Sequence, residues 1–173
     1  NSSHLPMANG NGLTGNGSTT QSAVIVKKPG SATIYYVFTK AVNCGSLSYS
    51  IVDMSLAAGS GSVTNQNIFI VANATEKLTS VKHCNGTDVW VLVSNCSSPT
   101  FNAYLVSATG VNTVAVTSTV TASSGVIGYM KFSPNGKKLA FCNYNSSVNV
   151  ADFDANTGIV SNNINLPTPS YGC

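Results

Sequence analysis

Charge is scarce in this sequence. Its 173 residues hold eight Lys, no Arg, four Asp and a single Glu (Glu76), so charged residues make up 8% and the net charge is +3. Without Arg a nucleic-acid surface is not expected, because bidentate contacts to phosphate and guanine rest largely on guanidinium groups. Long apolar runs are also missing. The longest is Val89–Val93, far short of the roughly 18 residues a membrane span needs. The opening NSSHLPMANGNG lacks the basic and apolar segments of a signal peptide and does not start with Met, so the chain reads as a processed or excised piece of something longer. With two His and no CxxC pair among five Cys, a zinc site is not expected. Helical periodicity is absent, and so is the Ala/Glu/Lys/Leu/Arg weighting of helical bundles.

What is present is Asn, Ser and Thr (20, 24 and 17 residues), 20 Val, and 43% hydrophobic residues overall. This is too apolar for a disordered chain and is the length of one ordinary domain. Low charge with abundant Asn, Ser and Thr suits an extracellular surface. Six N-x-S/T sequons, at Asn1, Asn16, Asn73, Asn85, Asn95 and Asn145, matter only in a eukaryotic secretory cell.

Short runs rich in Val, Ile, Tyr and Phe recur between Gly, Asn, Ser and Pro clusters, and they recur as a repeat. Three turns align on their glycines: Lys28-Pro29-Gly30-Ser31, Cys84-Asn85-Gly86-Thr87 and Ser133-Pro134-Asn135-Gly136. Each lies between two β-rich runs, Ala23–Lys27 and Ile34–Thr39, Leu78–His83 and Asp88–Ser94, Tyr129–Ser133 and Lys138–Tyr144. Asn-Gly supplies the positive φ angles of tight hairpins, so these pairs read as hairpins. A third strand is expected at Leu47–Met54, Phe101–Ser107 and Ser147–Phe153. After a Gly-containing turn, a fourth follows near Asn67–Val71, Asn112–Val120 and Gly158–Asn163. Four antiparallel strands in about 50 residues mark a β-propeller blade. A β-sandwich also has many short strands but no turn chemistry repeating at this interval. The expected fold is therefore all-β, a partial propeller of about three four-stranded blades. The reading divides the chain into a polar lead-in or edge strand (1–22), blade 1 (23–76), blade 2 (77–124), blade 3 (125–165) and the start of a further blade (166–173).

The third unit, YMKFSPNGKKLAFCNYNSSVNVADFDANTGIVSN, is the clearest. Pro134 presets φ, Asn135-Gly136 closes the hairpin, Asp154 caps the second turn and Gly158 relieves it. The unit resembles the blade of bacterial WD-like and YVTN-type propellers, F-S-P-D/N-G-K-x-L-A followed by D-x-x-T-G. The opening LPMANGNGLTGNGSTTQSAVIVKKPGSATIYYVFT, then SLSYSIVDMSL, TEKLTSVKH, TFNAYLVSATGV and IGYMKFSPNGKKLA, look like consecutive pieces of propeller regions in large secreted cell-surface proteins of Bacteroidota. Many of these carry a C-terminal type IX secretion sorting domain. The resemblance implies an extracellular or cell-surface location and a propeller within a multidomain protein. This chain departs from the family in showing neither sorting nor accessory domain. The family's activity is poorly defined, so no catalytic residue carries over.

The candidate sites are few. Asp53, Asp152 and Asp154 fall on third strands and their turns, where capping is the expected role, and Asp88 opens a strand. Glu76 beside Lys77 is expected to be a solvated loop residue. No carboxylate pair has the spacing of acid–base catalysis. His83 and Cys84 are neighbours on a strand, where side chains point to opposite faces, which disfavours a nucleophilic dyad unless a turn intervenes. Gly59-Ser60-Gly61-Ser62 is a flexible turn and no phosphate loop. Asp152-Phe153-Asp154-Ala155-Asn156 offers alternating oxygens as calcium loops do, but lacks their Gly and distal Glu, and reads as a turn. Cys44 and Cys96 fall after the second strand of successive units, where equivalent loops share a face, and form the candidate disulfide, the alternative being free thiols. Cys142 is expected inside a strand, Cys84 exposed in a turn. Tyr35, Tyr36, Trp90, Phe101 and Tyr104 read as blade-packing aromatics, with a carbohydrate platform as the alternative. Three blades leave an open ring. The expected partners are therefore the remainder of the propeller, on the same or another chain, or further copies of this one, with a protein or glycan as ligand and no cofactor. The expected role is a non-enzymatic scaffold or interaction module, with a self-assembling structural subunit and a YVTN-type lactonase or hydrolase as alternatives.

Overall fold

The computed structural model describes residues 5–121, 125–144 and 147–167. Blade 1 is the sheet β1 (Ala23–Lys27), β2 (Ile34–Lys40), β3 (Leu47–Asp53), β4 (Ser62–Val71), in that order. Blade 2 orders β5 (Ala74–Lys82), β6 (Val89–Asn95), β7 (Thr100–Ser107) and β8 (Gly110–Val111), with β9 (Val116–Thr119) also paired to β7. Blade 3 is β10 (Met130–Phe132), β11 (Lys138–Asn143), β12 (Ser147–Asp154) and β13 (Ile159–Pro167). The pairings between these strands are antiparallel. One 3-10 turn, Ala57–Gly59, is the only helical element among the described residues.

Several bounds differ from the sequence expectation. β5 begins at Ala74, four residues before Leu78, and β4 begins at Ser62. The expected fourth strand of blade 2 is broken after Val111 because Asn112 turns the chain. Its amide donates to the Leu105 carbonyl at 2.8 Å and its side chain accepts the Val114 amide at 3.0 Å. Leu166 and Pro167 complete β13 rather than open a new strand. Residues 168–173, including Cys173, and the sequons at Asn1 and Asn145 lie outside the described residues.

The hairpin chemistry also differs. Asn85 and Asn135 do not take positive φ; Gly86 (φ 78°) and Gly136 (φ 70°) do. The strands close at His83–Asp88 and Ser133–Lys138, leaving the four-residue loops 84–87 and 134–137 that the flanking runs led one to expect. Each Asn serves through its side chain. Asn135 Oδ1 accepts the Lys137 amide, and Asn85 Oδ1 accepts the amides of Thr87 and Asp88. Asx capping of this kind fixes a loop without bending the Asn backbone into the left-handed region.

Packing follows from the period of two. In β12, Ser147, Asn149, Ala151 and Phe153 are buried and alternate with more exposed residues. β6 has no such alternation, because blade 2 is covered on both faces. Trp90 and Leu92 enter a core with Phe101, Met130, Leu139, Phe141, Phe153 and Val160. Val91 and Val93 point the other way, into a core with Val26, Tyr36, Phe38, Leu47, Tyr104 and Val106. The longest apolar run of the sequence is thus a strand buried on both sides. Each large apolar side chain so covered contributes about 1.5–3 kcal/mol. The five aromatics divide accordingly. Trp90 and Phe101 serve the first core, Tyr36 and Tyr104 the second, and Tyr35 is half-buried under Lys27.

The outward face of blade 1 is covered by the lead-in. Ala8 bridges Ser62 in parallel, Asn67 Nδ2 donates to Gly12 O at 2.8 Å, and Thr14 meets Thr39 at 2.8 Å. Ser48 and Ser50 are buried. The outward face of blade 3 is apolar. Cross-strand partners share a face, which aligns Ala140 with Val150 and Ile164, and Cys142 with Val148 and Leu166. Ile164 is 61% exposed and Leu166 47%.

Cys44 and Cys96 are joined by a disulfide, Cα–Cα 5.7 Å, which ties the β2–β3 loop of blade 1 to the β6–β7 loop of blade 2 across 52 residues. Closing a loop of that length restrains the unfolded chain. Cys96→Ser is expected to lower unfolding stability by about 2–4 kcal/mol, read from denaturant midpoints of the oxidised wild type and variant.

Candidate functional site

In a four-stranded antiparallel blade, the first and third connections lie at one end of the sheet and the second at the other. At the first end, the β5–β6, β10–β11 and β12–β13 turns meet around an open cleft of about 780 Å³ between blades 2 and 3. Its lining includes His83, Cys84, Pro134, Asn135, Lys137 and Asn156. Trp90 braces the turns that form the cleft. Its indole N–H donates to the Ala155 carbonyl at 3.0 Å, and the same carbonyl accepts the Cys84 amide at 3.2 Å. The His83 ring lies 5.7 Å from the indole, tilted by 30°. Gly158 touches the other side. A Cβ there would meet the Trp90 ring at 2.9 Å, and φ is +79°.

The turn brings His83 and Cys84 together, contrary to the strand expectation. Cys84 Sγ lies 3.6 Å from His83 Nδ1 and donates to Asn156 Oδ1 at 3.2 Å. The geometry nonetheless does not activate a nucleophile. His83 Nδ1 already accepts the Asn85 amide at 3.0 Å, so the lone pair that would take the thiol proton is engaged. The Cys84 thiol is directed at the Asn156 side-chain oxygen. The three groups lock two turns from different blades. Cys84 is exposed and free, and Cys142 on β11 is half-buried and disulfide-bonded.

The carboxylates are engaged by backbone and side-chain donors. Asp154 accepts the Asn156 amide at 2.9 Å and the Thr157 hydroxyl at 2.8 Å. These bonds, with a smaller contribution from His83, hold its carboxyl below the usual range. Asp152 pairs with Lys138 and accepts Asn162 Nδ2 at 2.9 Å, and is likewise lowered by these two hydrogen bonds, Lys138 first. The Asp152–Asn156 segment is therefore a turn whose carboxylate oxygens are engaged by protein donors. Asp53 accepts the Ser55 amide and hydroxyl, and Asp88 accepts Asn85 Nδ2. In the β3–β4 turn, Gly61 takes φ +81° beside Met54 and Met7. In the β1–β2 turn, Gly30 takes φ +75°.

At the opposite end the expectation for Glu76 is overturned. It is 2% exposed, with Lys40 at 0% and Lys77 at 1%. Glu76 Oε2 accepts the Thr20 amide and hydroxyl, both at 2.9 Å, and Oε1 accepts the Asn43 amide at 2.9 Å. Burial alone pushes its pKa up, but these donors and the Lys40 ammonium outweigh it and hold the carboxyl below its usual range. Lys40 Nζ donates to the Ala41 and Asn43 carbonyls, and Lys77 Nζ to the Gly125 carbonyl. Gln21 completes this hub. Its amide oxygen accepts from Met130 N (2.8 Å) and Leu78 N (3.3 Å), and its nitrogen donates to Met130 O (3.0 Å). One side chain thus bonds the first strands of blades 2 and 3. Sequence reasoning missed Gln21 and Lys40 and misread Lys77 as solvated and Asn156 as a plain turn residue, since nothing local distinguishes them from solvated polar residues.

No protein-family model matches the chain, and no characterised protein matches it by sequence. By structure it is similar to the periplasmic gluconolactonase PpgL of Pseudomonas aeruginosa, with 15% identity and a TM-score of 0.53 over 87% of this chain. The chain spans 41% of the length of that protein. With the three four-stranded sheets, this establishes an all-β, partial propeller fold of about three blades.

Two outcomes are expected. Gly158→Ala forces a methyl into the indole and an Ala into the left-handed region, and should cost about 2–3 kcal/mol in chemical denaturation. Burial lowers the pKa of both Lys40 and Lys77 to about 8, against the opposing pull of Glu76. Between about pH 8 and 10.5 the unfolded chain then binds more protons than the folded one, so stability rises with pH through that window. Melting temperature should increase from about pH 7 to about pH 9.5, and Lys77→Met should flatten part of that rise.

Proposed function

We propose that this chain is a non-enzymatic scaffold and interaction segment of a larger propeller in a secreted bacterial cell-surface protein. The observation that carries this reading is the use of its carboxylates. All five accept hydrogen bonds from protein donors, four of them in a turn, a loop or the lead-in and Asp152 across neighbouring strands; the two that line the turn-face cleft, Asp152 and Asp154, have both oxygens so engaged. The cleft is built from turns on a rigid scaffold, the usual site of recognition in such architectures. A disulfide and an uncharged Asn/Ser/Thr-rich surface support an oxidising, extracellular setting.

The apolar outward face of blade 3 supports the larger ring. Its apolar rows Ala140–Val150–Ile164 and Val148–Leu166 repeat the pattern by which the inward faces pack, which supports a further blade, on this chain or another, covering them beside the disulfide-bonded Cys142. The same face favours a second reading, in which copies of this chain associate into an oligomer or filament. The structural likeness to a gluconolactonase leaves lactone hydrolysis as a third.

Light scattering and a lactone assay on the purified chain separate the three. A monomer that does not accelerate gluconolactone hydrolysis above the buffer rate is expected. A stable oligomer would instead support the assembly reading, and turnover abolished by a cleft substitution would support the hydrolase.

A further inference from the structure

The eight lysines divide in an informative way. Lys40 and Lys77 are buried and bonded to loop carbonyls, and Lys138 is paired with Asp152. The other five, Lys27, Lys28, Lys82, Lys131 and Lys137, lie on the first strands of the three blades or on the turns that follow them. Among the described residues none of the five forms an ion pair. The edge of the stack formed by β1, β5 and β10 is therefore basic, while Asp53, Asp152 and Asp154 lie on third strands or their turns.

Three of these lysines converge. Lys27, Lys28 and Lys82 line an open cleft of about 550 Å³ between the first strands of blades 1 and 2, together with Ser31, Ser80 and Thr87. No carboxylate is among its lining residues. Ser80 and Lys82 pair with Val91 and Val89 of β6, which places them on the blade 1 side of β5. Lys27 extends over the Tyr35 ring, 5.9 Å from its centroid. Ser80 is shared with a neighbouring cleft that carries Tyr129 and Lys131. Lys82 is shared with the turn-face cleft, which carries Lys137 together with Asp152 and Asp154. The basic groups thus follow one surface along the first strands, which meets carboxylates only at the turn-face cleft.

We infer that this surface binds an acidic glycan, its carboxylates held by Lys27, Lys28 and Lys82 and its hydroxyls by Ser31, Ser80 and Thr87. Lysines are compact point charges suited to single anionic groups, and without Arg the surface lacks the fork that reads nucleic-acid phosphates. An acidic peptide adding to the β1 or β5 edge would be read through main-chain hydrogen bonds, whereas the lysines, the hydroxyls and the apolar Ile25, Val26, Val81 and Val89 of this cleft offer side-chain contacts to the anionic groups and ring faces of a sugar. The inference rests on reading the chain as a binding module and names the ligand class.

The test is calorimetric titration of the whole chain with an oligogalacturonate, a neutral cello-oligosaccharide and an oligoglutamate. Binding of the oligogalacturonate alone is expected, weakening as salt rises from about 50 to about 500 mM. Lys27→Gln, Lys28→Gln and Lys82→Gln should each weaken it by about two- to five-fold, the magnitude of an exposed ion pair. The triple variant should lose more than about ten-fold, and Lys138→Gln should change nothing. Should the triple variant melt early, the single variants and the salt series still decide. No oligogalacturonate binding, equal binding of the neutral sugar, or indifference to the lysines would overturn the inference. Equal, lysine-dependent binding of oligoglutamate would assign the surface to acidic peptides and overturn it too. Absence of both glycan binding and lactone turnover defeats the glycan while leaving the scaffold reading standing; lactone turnover without glycan binding defeats both.

Discussion

The structure depends on covering both faces of blade 2. A single four-stranded sheet has two faces and one layer, and neither can be buried without a neighbour. Here β6 and β7 supply large apolar side chains to both sides, and the two cores share these strands without sharing side chains. Blade 2 is thus the common wall of two cores. Blades 1 and 3 each depend on it and have no contact core of their own with each other.

The ends of the stack are finished by polar means. At one rim a buried carboxylate gathers the lead-in, the β2–β3 loop and the start of β5. Buried ionic groups are costly unless their hydrogen bonds are satisfied. Glu76 meets that condition by accepting three, and the two lysines meet it by donating to loop carbonyls. At the other rim, Trp90, Gly158 and the Cys84–Asn156 contact lock the turns of blades 2 and 3. The scarcity of charge has a consequence for function as well. With the carboxylates employed in this way, the unpaired lysines leave one edge of the molecule basic.

How much of this was legible depends on the range of the interaction. The three blades were readable because the cues are local: Gly30, Gly86 and Gly136 mark loops within a few residues of the strands they join, and apolar alternation marks the strands. The Cys44–Cys96 pairing was readable as a candidate because it follows from repeat position. The hub was not. Glu76 meets Thr20 across 56 residues and Asn43 across 33, and a run such as Thr75-Glu76-Lys77 has no alternation to announce burial. Cys84 and Asn156, 72 residues apart, are neighbours only once two blades stack. The part played by Asn in the turns was not legible either. Asn-Gly fixes that a turn occurs, but only the folded loops show that Gly86 and Gly136 carry the positive φ while Asn85 and Asn135 act through their side chains.

The disulfide has a mechanical corollary. Blades 1 and 2 are stitched covalently at one rim, whereas the described residues show no such bond between blades 2 and 3. Tension drawn along the polypeptide cannot part the first pair without breaking a sulfur–sulfur bond. The load falls instead on the second seam, held by the Trp90 indole, the Gln21 amide and apolar contact. Under stretching the stack therefore yields there first, shedding blade 3 while a stapled two-blade unit stays folded.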